Sequence, residues 1–315
     1  MNWYALASYD AGLGPRPALV LNERLYDVAA TLQACGISEH PLRDGVQNAV
    51  EQWPHSAEAI ASLAERAAAL LGSGELTALN TADYRLCTPY RPGRIFGAAS
   101  NYYEHAKEMG TELAPRSESS PYVFMKADSS VIATEQDVIK PATTQKLDWE
   151  VELGVVIGKE CRHVSVEQAH EVIAGYTVFN DISARDLNRR SDYPFTHDWF
   201  RGKSFDTFGP MGPWLVPRDC IADPQQLRMR LQVNEQMMQD DSTAGMIFNI
   251  AEQIAYLSSM LTLRPGDLIV TGTPTGVGMA RGVFLQPGDV MIASIDGIGS
   301  IRNRVVAAEA AVALG

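Results

Sequence analysis

The stretch 146–158, reading KLDWEVELGVVIG, constrains this chain more than any other part of it. Read as a strand, its period of two sends Leu147, Trp149, Val151, Leu153 and Val155 to one face and Asp148, Glu150 and Glu152 to the other. Carboxylates that share one side of a half-buried strand repel each other and lose hydration. Such a face needs either open water or a cation. Taken alone, the stretch leaves both readings open, a solvated acidic face and a cation site.

The residues around it predict a fold that is mainly β with α/β elements. Residues 1–93 read as a small N-terminal α+β domain. The apolar runs Tyr4 to Ala7 and Ala18 to Leu21 flank turn signals at Gly12, Gly14, Pro15 and Pro17, which suggests a strand pair. The Ala-rich segment 56–71 places Ile60, Leu63, Ala67 and Leu70 at helical spacing and stops at Gly72 and Gly74. Pro89, Pro92 and Gly93 then punctuate a linker into a main domain, 94–315. Within it, strands are expected at 95–99, 121–126, 176–181, 211–216 and 228–233, with a hairpin turn at Asn234-Glu235 and a helix over 250–260. Two Pro-Gly-Asp turns each lead into an apolar strand, ending near Val270 and Ile292. Ser165-Val166-Glu167-Gln168 has the form of a capping box and predicts a helix running to Gly175.

Charge narrows the function. A formal net charge of -12 excludes a non-specific nucleic-acid or acidic-membrane binder, because phosphate contacts need clustered Lys and Arg. No apolar run is long enough to span a bilayer, and the start lacks the pattern of a signal peptide. Cys35, Cys87, Cys161 and Cys220 are widely spaced with no C-x-x-C pair, as expected of reduced thiols in a cytoplasmic protein. Locally the sign reverses. Arg185, Arg189, Arg190, Arg201 and Lys203 outnumber the acids between them, so an anion is welcome there, and Tyr193, Phe195, Trp199 and Phe200 interleave with them. A loop covering the sheet is the alternative reading of that segment.

Three further features carry chemistry. His105 and Glu108 lie three apart, so one helical turn brings them together as a general base and its orienter, or as a solvated pair. The Gly/Thr-rich turn 271–278 can aim N–H groups and hydroxyls at a carboxylate. Glu150 and Glu152 with Asp181, which ends an apolar strand, offer all-oxygen ligation with few protein ligands. That set suits Mg²⁺ or Mn²⁺, with Ca²⁺ an open alternative, and disfavours zinc.

Four blocks in order, LDWEVEL at 147–153, GYTVFNDISARD at 175–186, GKSFDTF at 202–208 and GTPTGVG at 272–278, resemble the fumarylacetoacetate hydrolase family over residues 94–306. The resemblance implies a β-roll built around a metal site, a small N-terminal domain and a homodimer. Its metal carboxylates fall on Glu150, Glu152 and Asp181, its active-site lysine on Lys203 and its lid pair on His105 and Glu108. Its substrate-binding arginine falls on Arg185, and its last block's substrate contacts on Gly272 and Thr273. Larger members have a further metal acid before the histidine; here Ile95-Phe96-Gly97-Ala98-Ala99 has none, as in the smaller bacterial acylpyruvate hydrolases and 2-hydroxyhepta-2,4-diene-1,7-dioate isomerases. The implied activity is cleavage of a C–C bond in a small anionic 2-oxo acid, a 2,4-dioxo acid of the acylpyruvate or fumarylpyruvate type, through a metal-stabilised pyruvate enolate. Oxaloacetate decarboxylation, isomerisation of a hydroxymuconate-type acid, sugar-acid dehydration and a non-catalytic 2-oxo acid binder are the alternatives.

Overall fold

A computed structural model describes residues 3–308. Its main sheet runs, strand beside strand, through Arg24–Asp27, Pro15–Leu21, Ala5–Asp10, Gly209–Pro217, Ile173–Asn180, Val151–Ile157, Leu268–Val270, Ile95–Ala99 and Tyr122–Lys126. All neighbours along this path are antiparallel except Leu268–Val270 with Ile95–Ala99. A second sheet of five strands contains Gln236–Ser242, Arg228–Val233, Val290–Ile295, Gly299–Ala307 and Val138–Lys140. The architecture is mainly β with α/β elements, and among the described residues no helix is long and apolar enough to cross a membrane.

Every residue of Val151–Ile157 and of Ile173–Asn180 is buried, so these two strands form the middle of the molecule. Strands covered on both faces must be apolar except where polar groups find partners. Glu152 is the acid inside this pair, facing Phe179 across the ladder. Glu150 and Asp181 lie just beyond the strand ends, where Asp181 N donates to Glu150 O at 2.8 Å.

The N-terminal strands join the main sheet where Leu6 lies opposite Leu215. One face of these strands, with Leu6 and Leu19, and the buried face of Trp53–Leu70, with Ile60 and Leu63, share one core with Val156, Ala174, Phe179, Leu268 and Val270. The hairpin turn at Asn234-Glu235 is present, with φ of 49° and 69° at the two residues. The helix Ile250–Met260 is capped reciprocally by Asn249 and Glu252.

Two readings of the sequence are corrected. The segment after Ser165 makes only a short 3-10 turn, Ala169–Val172, and Gly175 lies inside a strand. The glycine is there because the neighbouring strand passes so close that a Cβ would lie 2.2 Å from the carbonyl oxygen of Val216. The acidic stretch is also not one strand: Leu147–Asp148 pairs with Ser183–Ala184, and the ladder resumes at Val151. In the gap, side-chain amides replace strand partners. Asn180 Oδ1 accepts from Glu150 N at 3.0 Å, and Gln239 Oε1 accepts from Val151 N at 3.0 Å.

Candidate metal and acid–base site

Glu150, Glu152 and Asp181 come together so that one carboxylate oxygen from each lies within 4.8 Å of the other two, and all three residues are buried. Two lysines are buried beside them. Lys203 Nζ pairs with Glu150 Oε2 at 2.7 Å and with Asp181 Oδ2, and Lys126 Nζ pairs with Asp181 Oδ1 at 2.8 Å. Lys126 also donates to the backbone carbonyls of Ile182 and Lys203. Arg185 completes the cations, its Nη2 2.6 Å from Glu150 Oε1 and its Nε 2.8 Å from Asp148 Oδ2.

The partners divide the acids. Asp148 accepts from Gly278 N at 2.6 Å, Met279 N at 2.9 Å and Trp149 N at 2.8 Å in addition to Arg185, and so is fully satisfied. Burial disfavours the charge of Glu150, but Arg185 and Lys203 outweigh it and hold that carboxyl well below its usual range. Glu152 has no ion-pair partner among the described residues; Gly272 N donates to its Oε2 at 2.7 Å. Burial, then the charges of Asp181 and Glu150, push its carboxyl well above the ordinary glutamate value. A buried acid with an amide for a partner and two acids for neighbours has an environment that a bound cation would relieve. Four carboxylates face three cations here, so a divalent ion fits the donor set and turns the local balance positive.

His105 and Glu108 lie on the six-residue helix Tyr103–Glu108. His105 Nδ1 lies 2.8 Å from Glu108 Oε1, and the carboxylate accepts in turn from Gly276 N at 3.0 and 3.1 Å. Burial alone would raise the Glu108 carboxyl, but the His105 contact and the Gly276 N–H overcome it and lower it. With Nδ1 committed to Glu108, Nε2 is the nitrogen of the neutral ring left to accept a proton.

One cavity of about 430 Å³ collects these groups: its walls include His105, Glu150, Glu152, Arg185, Lys203 and Thr273. Asp181 stands behind the wall, wholly buried. Gly272 and Thr273 are at the site, but their donors are already engaged. The Gly272 amide holds Glu152, and Thr273 Oγ1 donates to Val151 O at 2.9 Å while accepting from Gln239 Nε2 at 2.8 Å. Sequence reasoning missed the roles of Lys126, Asn101 and Gln239. Lys126 had a visible signal, a basic residue ending an apolar strand; the two amides had none.

Residues 94–306 match the family described as fumarylacetoacetate (FAA) hydrolase C-terminal. A 2,4-didehydro-3-deoxy-L-rhamnonate hydrolase of Sphingomonas sp. (strain SKA58) is 43% identical over 216 residues, covering 68% of this chain and 73% of the relative. A mitochondrial oxaloacetate tautomerase of Homo sapiens is 38% identical over 258 residues, 81% of this chain and 79% of that protein. Among solved structures, the maleylpyruvate hydrolase of Sphingobium sp. SYK-6, in complex with manganese (II) ion and pyruvate, superimposes with a TM-score of 0.73 at 28% identity, covering 96% of this chain and 99% of the other.

Proposed function

The chain belongs to the fumarylacetoacetate hydrolase family, and we propose that it is a Mg²⁺- or Mn²⁺-dependent hydrolase of the C–C bond in a 2,4-dioxo acid of the acylpyruvate or fumarylpyruvate type. The observation that carries this reading is that His105, held by Glu108, lines the same cavity as Glu150 and Glu152. Hydrolysis is the reaction in this family's range that needs a base for water.

Glu150, Glu152 and Asp181 would hold the ion, which when bound supplies a Lewis acid for a 2-oxo acid. The remaining work falls to the chain itself. His105 Nε2 takes a proton from water as its oxygen bonds to the 4-carbonyl carbon, and Glu108 stabilises the imidazolium. The C3–C4 bond breaks with its electrons on C3, which then takes up the proton. The products are a carboxylic acid and pyruvate. Lys203, lining the cavity, offers positive charge to substrate oxygens. Arg185, tied to Asp148 and Glu150, positions Glu150 and the cavity wall, and Gly272 orients Glu152.

The test is release of pyruvate from acylpyruvates with Mg²⁺ or Mn²⁺, before and after EDTA. Metal-dependent release supports the reading; turnover that survives chelation overturns it. A second reading, enol–keto conversion of oxaloacetate, is favoured by the human relative and needs no attacking water. It predicts loss of enol absorbance with no cleavage product.

A further inference from the structure

The metal-side cavity adjoins a second chamber of about 240 Å³, and the two share Ala99, Ser100, His197 and Trp199 as lining. Their chemistry differs. Lys146, Arg185, Arg189 and Lys203 all line the first, whereas the second has no Lys, Arg, Asp or Glu in its lining. Its apolar walls are Leu113, Ala114, Tyr122, Trp199, Ile247 and Phe248, and Ser119 and Ser120 join the shared Ser100 and His197 as its polar lining.

The partition between them is built. Trp199 packs against Phe124 at 5.3 Å and Tyr122 at 5.8 Å between ring centroids, and Lys203 Nζ lies 5.7 Å from the Trp199 ring. Asn101, 3% exposed, ties the far wall to the site: its carbonyl accepts from Ile247 N at 2.8 Å and its Oδ1 from Phe248 N at 2.9 Å. Its Nδ2 donates to Thr271 O at 2.9 Å, one residue before the glycine that holds Glu152. Ser100, shared by both cavities, keeps φ at 52°, a conformation an L-residue adopts only when its surroundings impose it.

We propose that this chamber receives the substrate's tail, and that the preferred substrate is therefore a 2,4-dioxo acid with an uncharged, apolar acyl group rather than a diacid. A second carboxylate there would give up part of its hydration with no Lys or Arg to pair it, the histidine, His197, being shared with the metal-side cavity. An alkyl tail loses water contact against six apolar walls, which is worth about fourfold in affinity per buried methylene. The inference deepens the function proposed above and rests on it.

The experiment titrates Mn²⁺-loaded protein calorimetrically with straight-chain 2-oxo acids from pyruvate to 2-oxooctanoate, beside 2-oxo diacids of matched length. Affinity should climb by about three- to fourfold per methylene over several carbons, and monoacids should outbind diacids. Ser120→Trp and Ala114→Phe, both at exposed loop positions, fill the chamber and should flatten the climb. In parallel, the ratio of kcat/KM between long and short acylpyruvates should fall at least tenfold in these variants. A flat chain-length profile, a diacid preference, or a climb untouched by both substitutions overturns the chamber even if hydrolysis is intact. A chain-length climb that the fillers abolish, in protein that hydrolyses no acylpyruvate, sinks the reaction and leaves the chamber standing.

Discussion

Glu150, Glu152 and Asp181 are set by the two middle strands of the main sheet, whereas His105 and Glu108 stand on a helix of six residues. The acids are fixed many times over, by ladder bonds on both sides, by Asn180 and Gln239 in the strand gap and by two buried lysines. A helix this short is marginal in isolation. Its Glu108 end is held to one loop, through the amides of Gly276 and Val277. The acids form an electrostatic framework built into the sheet, whereas the proposed acid–base pair hangs on one loop.

The strongest way to break that division is Glu152→Gln. Loss of this charge should abolish turnover and lower Mn²⁺ affinity by more than about 100-fold, exceeding what outer partners of a ligand usually contribute. Manganese titration by electron paramagnetic resonance reads it, and unchanged affinity would remove Glu152 from the cation site. Next comes His105→Ala, expected to reduce kcat by about 10² to 10⁴ while Mn²⁺ affinity stays at the wild-type value. Retained turnover would take the base role away from His105.

Gly276→Ala acts on the anchor first, the Gly276 carbonyl also accepting from Trp149 Nε1 at 3.1 Å. The residue has φ of 104°, and a Cβ would lie 2.0 Å from the Met238 carbonyl oxygen, so the loop must shift and release Glu108. A fall in kcat of about tenfold is expected, with Mn²⁺ affinity unchanged; a matching fall in affinity would show that the two regions move together. The smallest effect is in stability. Because the Glu108 carboxyl is lowered from its ordinary 4.5, its contribution is present above that pH and is lost as pH falls through the folded value. Glu108→Gln should therefore destabilise by no more than about 1 kcal/mol at pH 7, with the gap to wild type closing below pH 4.5. Urea unfolding at several pH values measures it, and a gap that persists in acid contradicts the assignment.

The acid triad and the His105–Glu108 pair were legible because their signals are local: alternation along one strand, a strand ending in Asp, and a spacing of one helical turn. Facing alone could not tell Asp148 from Glu152. Their difference lies in partners from distant segments, Arg185 and the amides of Gly278 and Met279 for one and a lone glycine amide for the other. Lys126, Gln239 and Asn101 were out of reach for the same reason, since each meets its partner across a long stretch of chain, 55, 88 and 170 residues respectively. Gly175 was misread because a glycine that ends a helix and one that admits a neighbouring strand look alike in one dimension.

Similarity to the family begins at Arg94, but the sheet does not. The face of Val151–Ile157 that carries Glu152 carries Val156 further along, and Val156 belongs to the core shared with the N-terminal helices and strands. A polypeptide started at Arg94 would bare Val156, Ala174, Phe179, Leu268 and Val270 to water, along with the edge of Gly209–Pro217. The part of the chain that matches the family is therefore not a portable cassette. Grafting it onto another protein means carrying its wall with it, and wear in that wall, a cavity at Ile60 or Leu63, would be felt at the acids on the other end of the same strand.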